Sequence, residues 1–159
     1  MCARRADRPL RFGAEAYRLA SGERREDAAR LLVARRYVSS MYVSGEAAEC
    51  MLRAIVGLRD RTFDERHDLR ELCRRVGRLG MLTSPRDDEI VRDVQSIQAI
   101  WRNDLRFASS GQVDAFLRRI NRNRFAGRRG LERGARDLYN AAAQVIARGE
   151  VIWHRSRTE

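Results

Sequence analysis

Apolar residues recur along most of the chain at steps of three and four, the spacing that puts them on one face of a helix. A first helix is predicted from about Phe12 to Ala34, turning Ala28, Leu31, Leu32 and the aliphatic stem of Arg35 inward. Ser21-Gly22 marks a place where it can break, with Ser21 capping a restart ahead of Glu23. A second helix, about Tyr37 to Leu58, aligns Tyr37, Met41, Ala48, Leu52 and Ile55 on one side. Gly45 lies inside it at a cost of about 1 kcal/mol relative to alanine, so close approach of a neighbouring helix is expected there.

A charged loop, Arg59 to Arg66, leads to His67-Asp68-Leu69 and a helix to about Leu79 with Leu69, Leu72, Cys73 and Val76 inward. Gly80 ends it. Ser84-Pro85 is an N-cap followed by proline in the first turn, with Asp87, Asp88 and Glu89 at the positive end of the helix dipole. The stripe of that helix is Ile90, Val94, Ile97 and Trp101. Ser109 with Gln112 forms a capping box ahead of a short helix bearing Val113, Phe116, Leu117 and Ile120. Residues Asn121 to Gly134 read as a basic loop, and a last helix, about Leu131 to Arg148, uses Leu131, Ala135, Leu138, Ala142, Val145 and Ile146. The resulting expectation is an all-α, up-and-down bundle of five to six helices over residues 12–150. A basic N-terminal tail (1–11) precedes it, and a C-terminal tail (151–159) dangles or packs through Ile152 and Trp153.

Composition supports that expectation and adds a partner class. With 159 residues and 43% hydrophobic content, the chain suits one core, and 35% charged residues favour long solvated helices. The net charge is +11, and all 33 basic residues are arginine. Arginine's planar fork pairs with phosphate and stacks on bases, so RNA or another polyanion is an expected partner, against the alternative of a chain-wide coding bias. Cys2, Cys50 and Cys73 form no metal-ligand or disulfide pattern, so no metal and no cofactor are expected. No apolar run approaches a membrane span and no hydrophobic leader is visible, which reads as a cytoplasmic protein without a membrane partner.

Three ordered features carry a family resemblance. Ala29-x-Leu31-Leu32 leads into Tyr37 and then Gly45-x-x-x-Glu49-Cys50-x-Leu52-Arg53; His67-Asp68-Leu69 follows with Leu72; and Trp101 precedes Arg106-Phe107. Together they resemble the HEPN family, the nucleotide-binding domains shared by higher eukaryotes and prokaryotes. The resemblance implies a helical bundle, frequent homodimers, and membership in toxin–antitoxin, nucleotidyltransferase-linked or anti-phage systems. Many active members are metal-independent ribonucleases built on Arg, four to six residues, then His. In them the imidazole moves protons at the ribose 2′-hydroxyl or the leaving oxygen, and the guanidinium stabilises the charged phosphorane-like state.

Two literal matches exist, Arg61 with His67 and Arg148 with His154. With 33 arginines in 159 residues, a given histidine meets one at an allowed upstream position about half the time, so neither match is informative. His67 reads first as part of the helix start, its ring satisfying backbone groups as a cap does. Arg102-Asn103 stands where family ribonucleases often carry an Arg-Asn pair, but the required histidine would fall at Phe107, Ala108 or Ser109. The sequence thus points to an accessory or binding protein acting with a partner such as a small nucleotidyltransferase. Its rivals are a ribonuclease toxin and a structural adaptor bundle.

Two further groups are binding candidates. Glu49 is expected to be partly buried and paired with Arg53 or Arg106, as a structural element or as part of a ligand cleft. Arg118, Arg119, Arg122, Arg124, Arg128 and Arg129, with Phe125 interleaved, form the densest positive segment and suit a phosphate backbone or a solvated helix surface. Trp101, on the buried stripe, reads as core.

Overall fold

The computed structural model describes residues 12–60 and 68–158. Among them are six α-helices and no strand: α1 (Ala14–Val33), α2 (Tyr37–Arg59), α3 (Leu69–Arg78), α4 (Asp88–Ile100), α5 (Ser110–Ile120) and α6 (Gly130–Thr158). Short 3-10 turns, Pro85–Asp87 and Asn103–Phe107, lead into α4 and follow it.

α1 runs unbroken through Ser21-Gly22. Ser21 is not a cap; it is fully buried and donates its hydroxyl to the Ala47 carbonyl at 2.8 Å. Ser40 does the same from α2, to the Ala28 carbonyl at 2.9 Å, so a hydroxyl crosses the α1–α2 seam in each direction. Small residues and serines let the two helices approach closely. Arg35, expected to lend its stem to the α1 face, instead occupies the connecting turn in the left-handed region (φ 58°) and is exposed. A connection this short makes α1 and α2 antiparallel.

α2 is the centre of the bundle. It packs on α1, α3 and α6, and α6 in turn packs on α4 and α5. Met51, Leu52, Ile55 and Val56 are wholly buried, and they meet Leu72 and Val76 of α3, Ile90 and Ile97 of α4, and Leu138 and Val145 of α6 in one contiguous core.

The helix starts are decided locally. Asp68 caps α3, accepting from the backbone N–H groups of Arg70 (2.9 Å) and Glu71 (3.1 Å), so the His-Asp-Leu run does mark the helix start, through its aspartate. Ser84 with Asp87 and Ser109 with Gln112 each close a reciprocal capping box.

Three boundaries differ from the pattern in the sequence. α4 stops at Ile100, leaving Trp101 as its extended C-cap, and a 3-10 turn follows at Asn103–Phe107. α6 begins at Gly130, shortening the basic loop. α6 also continues to Thr158, so residues 151–158 extend the helix and do not dangle; they pack through Ile152, fully buried, and Trp153, 2% exposed, the second of the two expectations for them. The expected N-terminal tail and the Arg61/His67 pair lie outside the described residues.

Candidate functional site

Where α4 gives way to Trp101, the backbone becomes extended and a cleft of about 570 Å³ opens. Its walls come from three elements: Asp68, Leu69 and Arg70 at the start of α3; Gln98, Ala99, Trp101, Arg102 and Asn103 at the α4 exit; and Phe116 with Ile120 on α5. Trp101 forms the inner wall, 8% exposed, held by its indole N–H donating to the Tyr42 carbonyl at 3.0 Å. The Tyr42 ring lies nearly parallel to the indole, at 6.5 Å between centroids.

The cleft is basic and aromatic. The guanidinium of Arg102 lies 5.7 Å from the centre of the Phe116 ring, and that of Arg119 lies 5.8 Å from the same ring. Among the described residues neither Arg70 nor Arg102 has an ion-pair partner, and both are exposed. Two uncommitted guanidiniums, two side-chain amides (Gln98 and Asn103) and an aromatic face offer what a nucleotide needs: forks for phosphate, donors and acceptors for a base edge, and a stacking surface. Phe116 and Ile120 both fell on the expected core face of α5, yet Phe116 is half-buried in the cleft wall and Ile120 is 41% exposed at its rim.

The structure therefore brings Arg102 and Asn103 together with Asp68, the residue that follows His67 in the chain. It does not do the same for the second Arg/His match. Arg148 is occupied by the carboxylates of Glu89 and Asp93 on α4, the latter at 3.6 Å, while His154 is exposed beside Glu150 at 3.5 Å. Six residues along one helix also separate the pair by about 9 Å of rise and roughly 240° of rotation.

Glu49, Arg53 and Arg106 do not form one site. Arg53 donates from Nε to Glu49 Oε1 at 2.7 Å, both side chains being almost fully buried, and its guanidinium lies 5.7 Å from the Tyr17 ring. Arg106 is exposed and lies over Phe107, with its guanidinium 4.6 Å from the ring centre. It also reaches Tyr42, whose phenol is pushed above its ordinary value by burial and by a hydrogen bond with Glu46, Arg106 pulling the other way. Next to the buried pair, burial and then the Glu49 and Glu46 carboxylates push the Cys50 thiol up to about 11, which leaves it protonated and a poor nucleophile at neutral pH.

The six-arginine segment divides. Arg118 pairs with Asp114 at 2.8 Å and Arg124 with Asp137 at 2.8 Å, whereas Arg122, Arg128 and Arg129 are exposed without an ion-pair partner among the described residues. Phe125, interleaved with them, is 2% exposed and anchors the loop. No grouping of His, Cys, Asp or Glu among the described residues is arranged to hold a metal ion, and no described helix is long and apolar enough to cross a membrane.

An all-helical bundle with a basic, aromatic cleft at the exit of α4 is thus the class that fold and site define. The HEPN domain family matches residues 14–148, and the chain belongs to that family. Membership implies a function directed at nucleotides or RNA, by binding or by ribonuclease-type chemistry. No curated protein and no solved structure matches the chain.

Proposed function

We propose that this chain is a cytoplasmic HEPN protein that binds nucleotides or RNA in the cleft between α3, α4 and α5. In that reading it works as a homodimer in a toxin–antitoxin or defence-type system, beside a small nucleotidyltransferase-like partner. The observation that carries the binding half is the Phe116 ring flanked by the guanidiniums of Arg102 and Arg119, with Arg102 free of any carboxylate among the described residues. An arginine that spends its charge on no carboxylate is available to a phosphate, and an aromatic face between two such groups suits a base. The system and its partner protein are supported by family membership alone.

Binding of fluorescent adenosine monophosphate and of a short RNA to purified protein tests the cleft. Arg102→Gln and Phe116→Ala are expected to weaken both by tenfold or more, since a lost stacking contact or charge-assisted bond is each worth about 1–3 kcal/mol. Wild-type affinity in both variants overturns the reading. Copurification with a nucleotidyltransferase-like protein, from its native host, tests the partner.

A second reading is favoured by one observation, that Arg102 and Asp68 line the same cleft. In it, His67 and Arg102 form the acid–base and charge-stabilising pair of a metal-independent ribonuclease, despite their inverted order in the chain. Cleavage of RNA in excess chelator, abolished in both His67→Ala and Arg102→Ala, establishes that reading; intact RNA after prolonged incubation with wild-type protein removes it.

A further inference from the structure

The fold sorts the arginines around α5 by what they do with their charge. Arg118 and Arg124 are neutralised by Asp114 and Asp137, and Arg119 stacks on Phe116. Arg122, Arg128 and Arg129 remain exposed and uncompensated among the described residues. The loop that carries them is fastened at several points. Phe125 is plugged into the core; its N–H donates to the Asn121 carbonyl at 3.1 Å; the Arg124 N–H donates to Asn121 Oδ1 at 3.1 Å; Arg133 donates to the Arg124 carbonyl; and the Gly130 N–H reaches the Gly127 carbonyl at 3.3 Å. Three guanidiniums are thus displayed from an anchored platform, so little backbone ordering is needed when an anion binds.

The start of that platform adjoins the cleft. Ile120 forms the cleft rim, and Arg122, two residues on, stands within roughly 7 Å of it by chain reach. We propose that Arg122, Arg128 and Arg129 hold the phosphodiester backbone of a single-stranded polynucleotide that leaves the cleft past the C-terminal end of α5. The occupant of the cleft is then a strand several nucleotides long, not a mononucleotide. The proposal rests on the cleft reading above. It requires a single strand because a ring flanked by guanidiniums, as Phe116 is, stacks only on an unpaired base. It requires length because phosphates beyond the cleft are what the three free forks can pair with.

Anisotropy measurements on the whole protein separate the two claims, using four labelled probes: adenosine monophosphate, a single-stranded RNA of about 12 nucleotides, the same strand as DNA, and a blunt RNA duplex. The single strand is expected to bind at least tenfold more tightly than the mononucleotide. In Arg122→Gln/Arg128→Gln/Arg129→Gln, strand affinity falls tenfold or more at low salt and the slope of log K against log salt flattens by about 2, three contacts at about 0.7 each. Mononucleotide binding stays unchanged. Arg25→Gln/Arg35→Gln/Arg36→Gln, which removes the same charge from exposed positions around α1, is expected to leave the slope alone.

An unchanged strand affinity and slope in the loop variant, with mononucleotide binding intact, overturns the extension and leaves the cleft reading standing. Equal losses in the loop and α1 variants also overturn it, since they assign the effect to net charge. Duplex binding as tight as the single strand overturns the single-strand assignment. Failure of wild-type protein to bind any probe removes both readings. Preference between the RNA and DNA strands names the source of the backbone, and either order supports the proposal.

Discussion

The indole of Trp101 lies so close against Gly45 that a Cβ placed on the glycine would sit 2.0 Å from Nε1 and 2.1 Å from Cδ1. The glycine in the middle of α2 therefore makes room for an aromatic ring from the α4 exit, not for another helix backbone. Because Trp101 is also the inner wall of the cleft, packing in the core and shape at the site are set by one contact.

Gly45→Ala is accordingly expected to destabilise. The added methyl improves helix propensity by about 1 kcal/mol, but the ring it meets is rigid and tied to the Tyr42 carbonyl, so overpacking of about 1–3 kcal/mol prevails. Gly22, in the middle of α1, is the control, because a Cβ there would meet nothing within 4 Å. Gly22→Ala is expected to stabilise by roughly 0.5–1 kcal/mol. Urea unfolding of both variants checks the pair of signs, and a drop in mononucleotide affinity confined to Gly45→Ala checks the link to the cleft.

The buried Glu49–Arg53 pair is expected to behave as a unit. Removing either partner breaks a 2.7 Å ion pair between two almost fully buried side chains, so Glu49→Gln or Arg53→Met costs about 3–5 kcal/mol each. Replacing both, as Glu49→Leu/Arg53→Met, costs less than the sum of the two single changes, because two apolar side chains of similar volume carry no charge to desolvate. A double-mutant cycle by chemical denaturation measures the coupling. Additive losses in the double variant refute the pairwise account.

Asp87 gives the fold an acid-sensitive fastening. Burial pushes its carboxyl up, but hydrogen bonds from the Ser84 N–H, the Arg155 guanidinium and the Thr83 N–H outweigh that and hold it below its ordinary value. A group depressed in the folded state contributes stability that is complete above its unfolded value of about 3.9 and is lost as pH falls through the folded value. Wild-type protein is thus expected to lose more stability between pH 5 and pH 2 than Asp87→Asn, whose side chain has no charge to neutralise. Parallel slopes for the two proteins, from thermal melts across that range, count against the assignment. Arg155, which also donates to the Met81 carbonyl at 2.9 Å, carries the fastening to the end of α6.

Local signals in the sequence were legible where a few adjacent residues settle the matter. Ser84 with Asp87 and Ser109 with Gln112 cap their helices because a hydroxyl and a partner three residues on meet without help from the rest of the chain. The Glu49–Arg53 pair was legible for the same reason, one helical turn apart. Trp101 misled because it continues the apolar spacing of Ile90, Val94 and Ile97 although the helix has ended. It reaches the core from an extended backbone. The cleft was only half visible: Arg102-Asn103 stood out, while Arg70, Gln98 and Phe116 come from three elements that only the fold brings together. Gly149 follows directly on the helix end expected at Arg148. It lies inside α6, because a Cβ there would come 2.2 Å from Met51 Cγ, so the residue answers to the core of α2 and not to a helix end.

The last turns of α6 are therefore expected to be essential to the domain even though the family match ends at residue 148. Ile152 is fully buried, and Trp153 is buried with the guanidiniums of Arg18 and Arg157 at 5.6 and 5.9 Å from its ring. Trp153→Ala removes a large buried ring and is expected to cost about 3–5 kcal/mol. Truncation after Glu150 removes Ile152, Trp153 and the Arg155 tie to Asp87 together, and the losses fall on one contiguous patch that closes α6 over α1 and the α3–α4 connection. A domain of this size is stable by only about 5–15 kcal/mol, so the truncated chain is expected to be largely unfolded at 37 °C by circular dichroism. A cooperative melt like that of the full chain would restore the view that residues 151–159 are a tail.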